Sequence, residues 1–160
     1  SKKLLLEGLA DRLDDGAVVV ADGFNPSVGV RDILAGALHA LQPSSEASAG
    51  SPTEVLVREL GQGAAPGLES RLYLLVHNID GPALRTAEAQ DALSRAAGMP
   101  HVHLVASADH VHAPLMWDRD MGERFNWLWH DMTTFTPYTL ESAHLPQAIA
   151  GQVAEDVGKR

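Results

Sequence analysis

Three groups of residues have types and spacings that chemistry could use. The chain opens on Ser1-Lys2-Lys3. A glycine-rich turn ending in Lys and then Ser or Thr holds nucleotide phosphates: backbone amides cradle them, the ammonium meets the terminal phosphates and the hydroxyl binds magnesium. Lys3 stands where that hydroxyl belongs, so the pattern is incomplete, and a solvated basic pair is the plainer reading. The second group is Leu74-Leu75-Val76-His77-Asn78-Ile79-Asp80, an apolar run ending in polar groups. It has the layout of the acidic strand that holds magnesium and polarises water in nucleotide hydrolases. An active version places an acid at the strand tip, often two in succession. This one offers His77, Asn78 and then Asp80 across an apolar Ile79, and Asp80 beside Gly81-Pro82 reads equally as a turn or capping residue. The third group is His101, His103, His110 and His112, two H-x-H pairs. On a strand each pair would share a face, as in some zinc and iron sites. The second pair follows the first by about seven residues, roughly 20 Å of extended chain, so the pairs converge poorly and a structural or surface role is the plainer one. Asp118, Asp120 and Asp131 keep a metal-dependent hydrolase open as an alternative. No G-x-S-x-G elbow or H-E-x-x-H helix occurs, and lysine is found only at Lys2, Lys3 and Lys159, which removes chemistry that needs an interior lysine.

These groups need elements to position them. Leu5, Leu6, Leu9 and Leu13 recur at helical spacing over 3–13. Ala17-Val18-Val19-Val20-Ala21, between Gly16 and Asp22-Gly23, reads as a buried parallel strand. After Phe24-Asn25-Pro26, Ser27 is placed to cap a helix carrying Val30, Leu34, Leu38 and Leu41. Residues 42–52 turn to Ser, Ala, Gly and Pro and read as a flexible insertion rather than a domain boundary. A short helix over 53–60 and a Gly/Ala/Pro stretch over 61–67 lead to the clearest strand, 71–77, expected at the centre of the sheet. Gly81-Pro82 turns the chain, 84–97 is an amphipathic helix, and 101–107 is a third strand. Phe125, Trp127 and Trp129 alternate, which predicts a further strand around 127–131 with the aromatic rings on one face. The core is the first reading of those rings; exposed, Trp117, Trp127 and Trp129 would be partner anchors.

The order predicts an α/β fold with a parallel sheet, helices on both faces, and ligands beyond the carboxyl ends of the strands. Those ends carry Asp22-Gly23-Phe24, His77-Asn78-Ile79-Asp80 and Ser107-Ala108-Asp109-His110. A chain of 160 residues suits one domain. No apolar run reaches the ~18 residues that span a bilayer, so no membrane role is expected. Glu7 and Asp11 interrupt the apolar start before a signal-peptide core forms. With no cysteine, disulfides and thiolate metal sites are excluded. A net charge of −9 argues against an electrostatic nucleic-acid binder acting alone, so any such contact must be local or shared.

Several long strings, in order, carry a resemblance: Leu74-Leu75-Val76-His77-Asn78-Ile79-Asp80-Gly81, Leu104-Val105-Ala106-Ser107-Ala108-Asp109-His110-Val111-His112-Ala113-Pro114-Leu115-Met116-Trp117-Asp118, Phe125-Asn126-Trp127-Leu128-Trp129, Thr133-Thr134-Phe135, Pro137-Tyr138, and earlier Val19-Val20-Ala21-Asp22-Gly23-Phe24-Asn25-Pro26-Ser27. Together they resemble the origin recognition complex subunit 2 family over nearly the whole chain, except the insertion and the last dozen or so residues. The resemblance implies a three-layer AAA+-like domain of RecA-type P-loop ancestry over 1–144, truncated at its first strand, with 145–160 a linker or tail toward an absent winged-helix domain. Ser1, Lys2 and Lys3 are then the remnant of a degenerate phosphate loop, and Asn78 and Asp80 the remnant of an acidic-strand motif. It further implies a non-catalytic nuclear subunit that binds no cofactor. Such a subunit assembles with the others, especially subunit 3, in a ring around origin DNA and works with helicase-loading factors. The turn Phe24, Asn25, Ser27 and Arg31 would lie near the duplex. An independent nucleotide-dependent P-loop-like enzyme is the alternative.

Overall fold

The computed structural model describes residues 2–43, 50–62, 71–133 and 135. Ser1, most of the insertion, the 63–67 part of the Gly/Ala/Pro stretch, Thr134, Pro137, Tyr138 and the 145–160 tail lie outside the described residues.

Strands β1 (Gly16–Asp22), β2 (Arg71–His77) and β3 (Val102–Ala106) are short runs of β-branched and leucine side chains, and they pair in parallel in the order β1-β2-β3. The 71–77 run is the central strand, as its apolar composition implies. Val19 lies opposite Leu74, and Leu74 opposite Leu104. Parallel neighbours cannot be joined by a hairpin, so helices carry the crossovers. Helices α2 (Val30–Leu41) and α3 (Thr53–Gln62) return the chain from β1 to β2, and α4 (Ala87–Ala97) returns it from β2 to β3. Helix α1 (Lys2–Ala10) precedes β1, while a 3-10 turn (Ala113–Met116) and α5 (Arg119–Phe125) follow β3.

The two faces of the sheet follow from strand alternation. Leu72 and Leu74 pack with Leu34 and Leu38 of α2, Leu56 and Leu60 of α3, and Ala92 and Ala96 of α4. Nearer the strand tips, Val76 joins Ile79, Leu84, Leu93, Ile33 and, from α5, Met121 and Phe125. Each fully buried leucine contributes about 1.5–3 kcal/mol, so this face supplies most of the hydrophobic stabilisation. Tyr73 and Leu75 alternate to the other face, where α1 contacts β1 and β2 with Leu6 buried. That cover is narrow: Val20 of β1 and Leu4 and Leu5 of α1 are exposed large apolar side chains. Ion pairs tie the helices together. Arg95 of α4 reaches Glu54 of α3 at 2.6 Å, and Arg124 of α5 reaches Asp91 of α4 at 2.6 Å.

Four expectations are corrected. Ser27 does not cap α2: Asn25 Oδ1 accepts the Ser27 N–H at 3.0 Å in a local turn, and the helix starts at Val30 with Gly29 as its cap, whose N–H donates to the Asp32 carboxylate at 2.8 Å. Helix α4 starts at Ala87 rather than 84, because the Thr86 hydroxyl accepts the Ala89 N–H at 3.2 Å and ends the preceding turn. Helix α1 stops at Ala10, with 11–13 forming a turn that leads into β1. No strand forms at 127–131. Phe125 instead closes α5, and Asn126 adopts a left-handed conformation, φ 48°, so the chain turns sharply before Trp127.

Candidate functional site at the carboxyl ends of the strands

The three strand tips and the start of α1 meet. Parallel pairing sets Asp22 beside His77, and the chain leaves β1 through Gly23, whose N–H donates to the His77 carbonyl at 2.7 Å. A Cβ at Gly81 would stand 1.8 Å from the Gly23 carbonyl oxygen, so the turns after β1 and β2 touch backbone to backbone and only glycine fits. At the β2 tip Asn78 takes a left-handed conformation, φ 55°. Its N–H donates to Ser107 Oγ at 3.0 Å, and that hydroxyl lies 2.6 Å from His77 Nδ1.

Both lysines point into this junction, and both are paired. Lys3 Nζ lies 2.8 Å from Asp22 Oδ2 and 5.5 Å from the centre of the Phe24 ring. Lys2 forms an ion pair with Asp109 and donates to the Ala108 carbonyl at 3.4 Å. Asp109 is held in turn by Asn78, whose Nδ2 donates to its Oδ2 at 2.7 Å. Asp80 is buried, and its carboxylate accepts the N–H of His110 at 2.8 Å and of Asp109 at 3.2 Å. It therefore shapes the loop after β3 instead of projecting into open space, a role that neither the capping nor the catalytic reading of Asp80 anticipated.

The other sequence-predicted residues fall in different surroundings. Phe24 meets the His77 ring edge-on at 5.6 Å. Asn25 is spent on the turn described above, while Ser27 and Arg31 line an open cleft of about 690 Å³ that also exposes Asp32, Glu54 and Glu88. Beside it the Arg95 guanidinium holds the Glu54 carboxyl below its ordinary range. The histidine pairs stay apart in role: His101 Nε2 contacts the Leu60 carbonyl at 3.1 Å, His103 stacks on Tyr73, and His110 accepts the His112 N–H at Nδ1, 3.1 Å away. Among the described residues, no three His, Asp or Glu side chains group in a way that could hold a metal ion.

The aromatic residues form a ladder. Phe125 and Trp127 stack at 4.6 Å, Trp117 meets Phe125 at 5.6 Å and Trp127 at 5.3 Å, and Trp129 adds to the end at 6.2 Å from Trp127. Trp117 and Trp127 pack against the core, whereas Trp129 is 57% exposed, with Leu128 and Met132 exposed near it in sequence. Sequence reasoning missed the residue that anchors this ladder. Gln90 of α4, fully buried, donates from Nε2 to the carbonyls of Ile79 (2.9 Å) and Leu84 (2.8 Å), and its Oε1 accepts the Trp117 indole N–H at 2.6 Å. A polar residue on the inner face of an otherwise amphipathic helix was the available signal.

Comparisons with known proteins agree on one family. The model of the origin recognition complex subunit 2 RecA-like domain matches residues 1–132. The chain is 38% identical over 144 residues to the origin recognition complex subunit 2 of Drosophila melanogaster, covering 89% of this chain and 23% of that one. It is 34% identical over 166 residues to the origin of replication complex subunit 2 of Oryza sativa subsp. indica, covering 94% and 44%, and 33% identical over 147 residues to the human subunit 2, covering 90% and 25%. It thus spans less than half the length of these relatives. Among solved structures, it superposes on a chain of the Drosophila origin recognition complex bound to DNA with a TM-score of 0.80, 36% identity and coverage of 89% of this chain and 81% of that one. It superposes on a chain of the same complex bound to AT-rich DNA and Cdc6 with a TM-score of 0.81, 34% identity and coverage of 96% and 54%.

Proposed function

The chain belongs to the origin recognition complex subunit 2 family, with the RecA-like fold of that family, and from that premise we propose that it is a non-catalytic subunit acting by assembly at replication origins. The observation that carries the non-catalytic part is the strand-tip junction. Lys2, the cation placed to meet phosphates, is paired with Asp109, Lys3 beside it is paired with Asp22, and the Asp80 carboxylate is taken up by two backbone amides. Phosphoryl transfer depends on electrostatic stabilisation by just such groups and a metal, and Lys3 replaces the metal-binding hydroxyl.

The assembly part draws on the relatives and on the surface. The neighbouring structures are of origin recognition complexes with DNA, one also with Cdc6. The protein therefore joins the other subunits, subunit 3 above all, in a ring around origin DNA in the nucleus and helps a loading factor place the helicase. Residues 1–144 are its AAA+-like domain, and 145–160 lead toward a winged-helix domain. Trp129, with Leu128 and Met132, is the apolar contact for a partner subunit. DNA contact at Ser27 and Arg31 is shared with neighbours, since Arg31 shares its cleft with three carboxylates.

The test is affinity capture of the tagged protein from nuclear extract, with subunits identified by mass spectrometry and ATP turnover measured on the isolated protein. Recovery of the other origin recognition subunits without turnover is expected. Turnover that is lost on changing Lys2 or Asp80, or capture without those subunits, overturns the proposal.

A further inference from the structure

We propose that Asp22 and Asp109 are built-in counterions standing in for a polyphosphate, so that the start of α1 is held on the strand tips by the chain's own carboxylates. This rests on reading Lys2 and Lys3 as the remnant of a phosphate loop. The two lysines are consecutive, yet each reaches a different element: Lys3 takes Asp22 at the end of β1, and Lys2 takes Asp109 in the loop after β3. Asn78 at the tip of β2 lies between them and fastens Asp109 at 2.7 Å. The tips of β1 and β3 therefore each supply a carboxylate to one ammonium group, with Asn78 of the β2 tip bonded to one of those carboxylates, and on the phosphate-loop reading the two carboxylate charges take the place of a nucleotide's phosphates.

Asp109 is preset for this role. The amides of Asp109 and His110 are pinned by Asp80, and the Asp109 carboxylate by Asn78, so little side-chain freedom is lost on pairing. Lys2 and Lys3 expose only 17% and 20% of their side chains, against 23% for Asp109 and 32% for Asp22. Pairs this sheltered attract more strongly than freely solvated ones. Without Asp22 and Asp109, two sheltered positive charges next to the strand tips lose their carboxylate partners, and an added anion can replace them. The cover of one sheet face then depends on it, because among the described residues α1 is the helix packed on the Tyr73 and Leu75 side.

The experiment is hydrogen exchange of the α1 amides in the whole protein, with inorganic pyrophosphate as probe and sodium chloride at matched ionic strength as control. In the unmodified protein, pyrophosphate is expected to leave α1 protection unchanged. In D22N/D109N protection falls by about tenfold, as local opening of the helix becomes easier. Pyrophosphate restores it, the chloride control does not, and adding K2M/K3M abolishes the restoration. Should the double variant fail to fold, D109N alone gives the same test through the Lys2 arm. Unchanged α1 protection in the acid variants, or a loss that pyrophosphate does not restore, overturns the inference. Neither readout involves subunit recovery or ATP turnover, so this idea can fail while the subunit reading stands, and the reverse.

Discussion

Replacing Gln90 by methionine removes three interior hydrogen bonds at once while nearly conserving volume. The network fixes the orientation of the amide: two carbonyls, of Ile79 and Leu84, need its NH2 group, and the Trp117 indole needs its oxygen. Methionine offers none of these, and three groups that lean on a fully buried side chain lose their partner. Each buried polar group left unsatisfied costs about 1–3 kcal/mol, and the apolar side chain offsets about one such loss, which puts Gln90→Met about 2–6 kcal/mol below the parent. With a urea slope of about 2 kcal/mol per molar, the midpoint drops by roughly 2 M at unchanged slope. Urea titration followed by tryptophan fluorescence reads this directly, since Trp117 is one of the partners. Trp117→Phe removes a single bond and costs less. The double variant should fall short of additivity by at least ~1 kcal/mol, because the same bond is lost in both singles. A Gln90→Met midpoint within ~0.5 M of the parent, or full additivity, refutes the idea that Gln90 anchors the aromatic ladder.

Gly81→Ala places a methyl 1.8 Å from the Gly23 carbonyl oxygen, with backbone on both sides, and should destabilise by about 3 kcal/mol or more in the same titration. Asp15 is held below its ordinary 3.8 by the Tyr73 hydroxyl first and the Arg71 guanidinium second. A carboxyl depressed in the folded state stabilises above its unfolded value and loses that contribution as pH falls through the folded one. Asp15→Asn is therefore expected to lower the thermal midpoint modestly near neutral pH, with the difference from the parent shrinking below about pH 4; a difference that persists at lower pH contradicts the assignment. Trp129→Ala, at a 57% exposed position, should change stability by less than ~0.5 kcal/mol yet reduce recovery of partner subunits in affinity capture.

The strands and main helices were legible because their signals are local. Val18-Val19-Val20 and the run from Leu72 to Val76 are β-branched or apolar stretches bounded by turn residues, and the leucines of α2 recur at helical spacing. Ser27 misled because a hydroxyl residue before a helix resembles a cap, while the turn after β1 runs on two residues further and the helix starts at Val30 with Gly29 as its cap. Phe125-Asn126-Trp127-Leu128-Trp129 alternates as a strand would, but five residues cannot distinguish that from a helix end followed by a reversal, and the left-handed Asn126 decided it. Sequence reasoning looked to the strand tips for ligand chemistry, and the structure joins polar side chains to one another there. Their wiring was not readable, since Lys2 and the carbonyl of Ala108 lie 106 positions apart and no periodicity links them. Gln90 was passed over because its partners are two backbone carbonyls and an indole on separate segments.

The parallel arrangement of the sheet also sets a sequence of events in time. Contacts between β2 and the end of β3, such as His77 with Ser107, close a loop of 30 residues, whereas those between the start of β1 and β2, such as Asp15 with Arg71, close one of 56. Loop closure becomes harder only slowly with length, by about 0.6 kcal/mol per doubling, yet the shorter closure also carries α4 with it as a ready-made cover. The β2–α4–β3 unit is thus the expected nucleus, with β1, α2 and α3 joining later, an order that φ-values above about 0.5 in α4 and near zero in α2 would bear out. Changing the length of the 42–52 insertion would then alter stability only slightly and leave the formation of the nucleus untouched, which is why a segment so different in composition can interrupt the chain between β1 and β2.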